Sequence, residues 1–210
     1  MSTPVSTILD AASVIPVLTV KDMAHAVPLA EALAEGGLRV IEMTLRTEIG
    51  LDALAAMKEA VPELYVGMGT IRTGEDVQRS VNAGADFLVS PGLTPEISAA
   101  MMDSGVASLP GVATASEAMQ AQVAGFTAMK FFPAEQSGGA PWLKSIAGPL
   151  PDITFCPTGS ITKTQAPTYL ALPNVACVGG SWVVPGDALN AGDWAQITQN
   201  ARDAMAMIAD

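Results

Sequence analysis

Residues 107–132, ASLPGVATASEAMQAQVAGFTAMKFF, decide how the chain is read. An apolar run over 107–111 is followed by Thr114 or Ser116 as a helix cap and by a helix that runs to Gly125. A second apolar run then covers 128–132. Both runs are too short for helices. A strand without polar alternation expects to be buried on both faces. Two such strands joined by a helix make the repeating unit of a parallel sheet.

The same unit recurs outward in both directions. Upstream, a short helix over 6–12 precedes strands over 14–20, 40–45, 65–70 and 87–92. Asp22, Thr47 or Glu48, Thr73 and the Thr94-Pro95 pair are suited to open the intervening helices, and Gly36-Gly37, Pro62, Gly84 and Gly105 to close them. Downstream, the glycine-rich loop 137–139 leads to a short helix ending at Gly148-Pro149. Strands over 153–158 and 175–180 follow, with a helix capped by Thr162 between them and a last helix from about Trp194 to Ala209. Eight strands alternating with helices predict an α/β chain: a single-domain (β/α)8 TIM barrel over 1–210 with a short N-terminal helix. A doubly wound sheet would carry a GxGxxG or P-loop turn after its first strand, and Thr19-Val20-Lys21-Asp22 is neither.

The totals suit a single large core. Half of the 210 residues are hydrophobic and 15% are charged. A net charge of −11 argues against nucleic acid or an anionic membrane as partner. No apolar run reaches the roughly 20 residues of a membrane span, and residues 1–10 lack the pattern of a signal peptide. Cys156 and Cys177 lie in apolar runs and are expected to be buried free thiols. The expected location is the cytoplasm. His25 is the single histidine, which argues against a His-ligated zinc centre and a Ser-His-Asp triad; it is expected to be a surface or cap residue.

Lys130 stands in an apolar run with no other positive charge within ten residues on either side. Burial disfavours an ammonium ion and so favours the neutral amine that a Schiff-base lysine needs. Taken alone, the run reads more readily as a lysine whose stem follows apolar surface while its head reaches water. The barrel changes that balance, because active sites of this fold form where strands end. Thr19, Glu42, Arg46, Thr70, Arg72, Ser90, Lys130, Thr158 and Ser181 all stand at predicted strand ends. Glu42, inside a strand, is either a proton shuttle or the salt-bridge partner of Lys130 or Arg46. Arg46 suits two-point contact with a carboxylate or phosphate, or is a plain surface cation. The turns at Gly159-Ser160 and Gly179-Gly180-Ser181 follow the last two strands, the usual phosphate site of such barrels.

Six stretches, EMTLRT (42–47), GMGT (67–70), SPG (90–92), KFFPAE (130–135), CPTG (156–159) and GGSW (179–182), together resemble the 2-keto-3-deoxy-6-phosphogluconate aldolases, also called 4-hydroxy-2-oxoglutarate aldolases. The likeness runs through nearly the whole chain in order. It implies a class I aldolase that uses neither metal nor cofactor, acts on a small phosphorylated 2-keto acid, and assembles as a homotrimer. It further implies Lys130 as the Schiff-base lysine and Glu42 as general acid and base. Arg46 and Thr70 would hold the pyruvyl carboxylate, with Pro91, Phe132 and Thr158 along the substrate chain. Gly159, Ser160, Gly179, Gly180 and Ser181 would take the phosphate. The family commonly has glycine where Ser160 stands, and a side chain there either crowds the phosphate or donates a hydrogen bond to it.

Overall fold

The computed structural model describes residues 3–208. After helix α1 (Val5–Asp10) come strands β1 (Val14–Leu18), β2 (Val40–Thr44), β3 (Tyr65–Gly69), β4 (Phe87–Val89) and β5 (Ala107–Leu109). They are followed by β6 (Gly111–Val112), β7 (Ala128–Phe131), β8 (Thr154–Pro157) and β9 (Val178–Gly180). Between them run α2 (Ala26–Glu35), α3 (Gly50–Ala60), α4 (Gly74–Asn82), α5 (Pro95–Ser104), α6 (Ala115–Val123), α7 (Gly139–Ile146) and α8 (Ala166–Leu170). Helices α9 (Gly186–Ala191) and α10 (Trp194–Met205) close the described chain. Every strand pairing is parallel.

The strands form two hydrogen-bonded sheets, in the orders β5-β4-β3-β2-β1-β9 and β6-β7-β8. The strand expected over 107–111 is divided between them at Pro110. Proline has no N–H to give the ladder, so β5 pairs with β4 and β6 with β7. The Pro110 carbonyl still accepts from Lys130 N, at 2.9 Å. At the other margin, bridges Phe155–Val175 and Thr158–Gly179 join β8 to the segment of β9.

Buried side chains fall into two layers. The larger lies between strands and helices and includes Leu29, Leu33, Ile41, Met43, Leu54, Met68, Leu88, Met129, Phe131 and Phe155. The smaller holds the alternate strand residues: Ile15, Val40, Phe87, Val89, Leu109, Ala128 and Cys156. Because side chains alternate along a strand, one sheet feeds both layers. Helix α1 contributes Ile8 and Leu9 to the smaller layer, against Val40, Phe87 and Ala128, the first residues of their strands. Glu42 and Lys130 are each two residues further along, in phase with that layer. Cys156 and Cys177 are both buried and free, as expected.

The helix caps were largely written in the sequence. Thr73 and Thr114 each accept a backbone N–H three residues on, and the Asp76 and Glu117 side chains answer in capping boxes. Thr94 caps α5 with Pro95 in its first turn. Three expectations shift. Neither Thr47 nor Glu48 caps α3, which follows Ile49 with no side-chain cap bond; the Thr47 hydroxyl donates to the Val20 carbonyl instead. Thr162 does not cap α8; its N–H and hydroxyl bond the Gln165 side chain, and the helix starts only at Ala166. The last helix ends at Met205 and continues as a 3-10 turn over Ala206–Ile208, so its expected end at Ala209 lies outside the described residues. His25 is half-buried in a 3-10 turn after Asp22, its ring edge-on to Trp194 at 5.5 Å.

Candidate active site

The centre of the site is an ion pair between β2 and β7. Lys130 Nζ lies 3.1 Å from Glu42 Oε1 and 3.4 Å from Oε2. The residues are 5% and 4% exposed, so Lys130 is not a lysine reaching for water. Of the readings open for Glu42, pairing with Lys130 is realised and pairing with Arg46 is not. Phe132 turns its ring toward the amine, with Nζ 5.3 Å from the ring centroid.

The backbone shapes the space for this pair. Gly69, on β3, lies against the Glu42 side chain: a Cβ there would stand 2.7 Å from Glu42 Cδ. Gly111, the register partner of Lys130, packs on the Pro91 carbonyl carbon, where a Cβ would also collide. Thr70 follows Gly69 with a φ of 65°, a left-handed conformation that is uncommon for a residue other than glycine. Thr70 and Pro91 thus stand next to residues that touch the pair.

Beside the pair, a cleft of about 140 Å³ is lined by Val17, Arg46, Phe132, Thr158, Gly159, Ser160, Ile161, Gly179, Gly180 and Ser181. Eight of these ten were candidates from the sequence. Phe132 connects the two regions, facing Nζ on one side and the cleft on the other. Among the described residues Arg46 has no carboxylate partner. It is exposed and borders the cleft with both glycine turns. Thr158 is held next to Gly179, whose absent Cβ would lie 2.8 Å from Thr158 Cγ2. The cleft therefore offers a cation, two serine hydroxyls and glycine backbone, a set that suits an anion.

Of the other strand-end residues, Thr19 exchanges a hydroxyl bond with Thr44 at 3.0 Å, and Ser90 Oγ accepts from Gly111 N at 3.3 Å. Both are structural fasteners of the strand ends. The sequence reading missed Val17 and Ile161, apolar residues that gave no chemical signal. It also quoted Gly69 without assigning it the space it leaves. Larger hollows exist, one of about 390 Å³ between α2 and α10, but that one gathers no strand ends.

The chain is similar to known proteins along most of its length. The family model described as "Aldolase: KDPG and KHG aldolase" matches residues 5–200. The chain is 50% identical over 193 residues to the 2-dehydro-3-deoxy-phosphogluconate aldolase of Pseudoalteromonas atlantica, covering 92% of this chain and 90% of that protein. It is 46% identical over 203 residues to the KHG/KDPG aldolase of Escherichia coli K12, covering 97% and 95%. Among solved structures, the KDPG aldolase from Legionella pneumophila superposes with a TM-score of 0.95 at 43% identity, over 97% of this chain and 98% of that one. That crystal structure holds pyruvate captured at low pH as a covalent carbinolamine intermediate.

Proposed function

Since the chain belongs to the KDPG and KHG aldolase family, we infer that it is a class I aldolase working through a lysine Schiff base. It cleaves 2-keto-3-deoxy-6-phosphogluconate reversibly to pyruvate and glyceraldehyde 3-phosphate, with side activity on 4-hydroxy-2-oxoglutarate. The observation that carries this reading is the buried Lys130–Glu42 contact at 3.1 Å.

The chemistry follows from that contact. Lys130 gives up a proton to Glu42, and its amine attacks the C2 ketone to form a carbinolamine. Glu42, within reach of Nζ, returns a proton to the departing hydroxyl, and water leaves. The resulting iminium ion is the electron sink. A base, Glu42 directly or through one water, takes the proton of the C4 hydroxyl, the C3–C4 bond breaks, and its electron pair moves into the enamine. The aldehyde departs. Protonation at C3 and hydrolysis release pyruvate and restore the amine. No cofactor is required, because the iminium nitrogen supplies the electrophile.

Arg46, Thr70, Pro91, Phe132 and Thr158 belong to this reading as the residues that hold the keto-acid chain. Gly159, Ser160, Gly179, Gly180 and Ser181 belong to it as the phosphate site. Their shared cleft supports the phosphate set, and the positions of Gly69 and Gly111 support Thr70 and Pro91. The reading also takes the two sheets as one closed (β/α)8 ring in a single domain over 1–210. Chain continuity through Pro110 and the Thr158–Gly179 bridge favour closure. Homotrimeric assembly enters from the resemblance and cytoplasmic residence from the composition and the free cysteines; exposed Met102, Met119 and Val123 on α5 and α6 are in keeping with a subunit contact.

The test is reductive trapping. Borohydride added with pyruvate should leave a covalent adduct on the tryptic peptide that contains Lys130, and none in Lys130→Met. An adduct elsewhere, or none in the wild type, overturns the assignment.

A further inference from the structure

Ser160 sits on the cleft wall with a φ of 59°, in the left-handed region. Its hydroxyl is not left to rotate freely: Ser160 Oγ accepts a hydrogen bond from Gln136 Nε2 at 3.2 Å. Gln136 comes from the loop after β7, four residues beyond Phe132, and lies outside the cleft lining. A hydroxyl has one hydrogen to give. With an amide N–H occupying the acceptor side, that hydrogen is directed away from Gln136.

The loop that carries Gln136 is itself fastened to the turn it touches. Ala134 N donates to the Thr158 carbonyl at 2.8 Å and Glu135 N to the Gly159 carbonyl at 3.4 Å. Glu135 then reaches the far end of the same turn. Its Oε2 accepts from Gln165 Nε2 at 2.7 Å, and its Oε1 accepts from the Tyr169 hydroxyl. Burial, and then that bond, push the Tyr169 ionisation well above its ordinary value, so the phenol stays a donor. Gln165 Oε1 in turn takes Thr162 N and Thr162 Oγ1. The turn over 158–162 is thereby held at both ends by contacts that do not involve the Gln136 side chain.

We propose that Gln136 is a positioning residue that aims the Ser160 hydroxyl at the distal anionic group of the substrate, and so sets the preference for a phosphorylated over a shorter, unphosphorylated keto acid. The proposal rests on the aldolase reading. It explains why a serine is kept in a conformation that glycine adopts more easily. An exposed hydroxyl that must find its orientation on binding loses part of its bond energy to ordering; one already oriented does not. 4-Hydroxy-2-oxoglutarate ends one carbon beyond C4 and does not extend to a phosphate at C6, so the contact serves only the longer substrate.

The experiment compares kcat and KM on 2-keto-3-deoxy-6-phosphogluconate and on 4-hydroxy-2-oxoglutarate for wild type, Gln136→Ala, Ser160→Ala and the double variant. Gln136→Ala should lower kcat/KM on the phosphorylated substrate by roughly three- to tenfold, through KM, a part of the value of a hydrogen bond to a charged group, because the hydroxyl stays and only its orientation is lost. On the shorter substrate it should change by less than about twofold, the scatter of an untouched site. Ser160→Ala should lose at least as much on the phosphorylated substrate, and the double variant no more than Ser160→Ala alone. Gln136→Glu, which accepts where glutamine donates, should turn the serine hydrogen toward itself and lose more than Gln136→Ala. Equal losses on both substrates, or additive losses in the double variant, overturn the proposal. Absence of wild-type turnover on the phosphorylated substrate is a separate failure, that of the aldolase reading, and takes the proposal with it.

Discussion

Gly69 stands directly against Glu42, with no side chain where a Cβ would come within 2.7 Å of the carboxyl carbon. The neighbour has little room to give, since Glu42 is 4% exposed and already bonded through both oxygens to Lys130. Gly69→Ala should displace the carboxylate from Nζ. A shift of about 1 Å at a reacting group costs on the order of 100-fold in rate. A kcat fall of that size with KM changed little is expected. A kcat within threefold or so of wild type would show that the carboxylate can move without loss, which a dependence on this geometry does not allow.

Glu42→Gln keeps the volume but not the proton acceptor. General acid and base catalysis is worth about 10²–10⁴ in rate, and kcat should drop within that range. In the proposed mechanism Glu42 serves the amine as well as the C4 hydroxyl, so the rate of borohydride trapping with pyruvate should fall too. Normal trapping with lost cleavage would restrict Glu42 to the later step.

The pair is also a matter of stability. Removing one member of a buried ion pair leaves the other charge uncompensated, typically at about 3–5 kcal/mol. Lys130→Met should therefore be strongly destabilised in urea. Lys130→Met combined with Glu42→Gln should be more stable than Lys130→Met alone, by roughly 1–3 kcal/mol, the cost of a buried unpaired group. Equal stabilities would mean that water or Arg46 compensates Glu42 in the single variant.

Arg46 borders the cleft without a carboxylate partner among the described residues. Arg46→Ala should raise KM by roughly 10–100-fold, as loss of a charge-assisted contact implies, and leave thermal stability close to wild type. Arg46→Lys should recover only part of the loss, because a point charge does not replace a two-pronged donor.

The cap of α6 supplies a pH test that does not involve the Lys130–Glu42 pair. Thr114→Ala should cost about 1 kcal/mol. The Ala113 N–H, bonded to the Glu117 carboxylate at 2.8 Å, leads the contacts that hold its ionisation below the ordinary glutamate value. A carboxylate lowered in the folded state stabilises above its unfolded value and loses that contribution as pH falls through the folded one. The stability gap between wild type and Glu117→Gln should therefore be present at pH 7, small because the site is wet, and close in acid. A gap that widens in acid would reverse the sign.

Much of this was legible because it is local. The apolar runs gave the strands, and the threonines three residues before Asp76 and Glu117 gave the caps. Lys130 and Glu42 stood out as charges inside runs that admit none. What the sequence hid depends on distant contacts. The break at Pro110 was missed because a proline at the end of a strand and one that separates two ladders look alike in sequence. Helix α9, six residues between Pro185 and Gly192, has too few turns to show a period. The fit of Gly69 to Glu42 spans 27 positions, and only the β2–β3 register brings it about.

Helix α1 gives the inner layer a floor. Ile8 and Leu9 press on the first residues of β2, β4 and β7, so that end is stoppered with hydrocarbon. Lys130 stands two residues along β7 from that hydrocarbon. A molecule coming from the α1 end would have to part Ile8 and Leu9 to reach the amine, so approach is left to the other end of the strands, the end that carries Phe132 and Thr158.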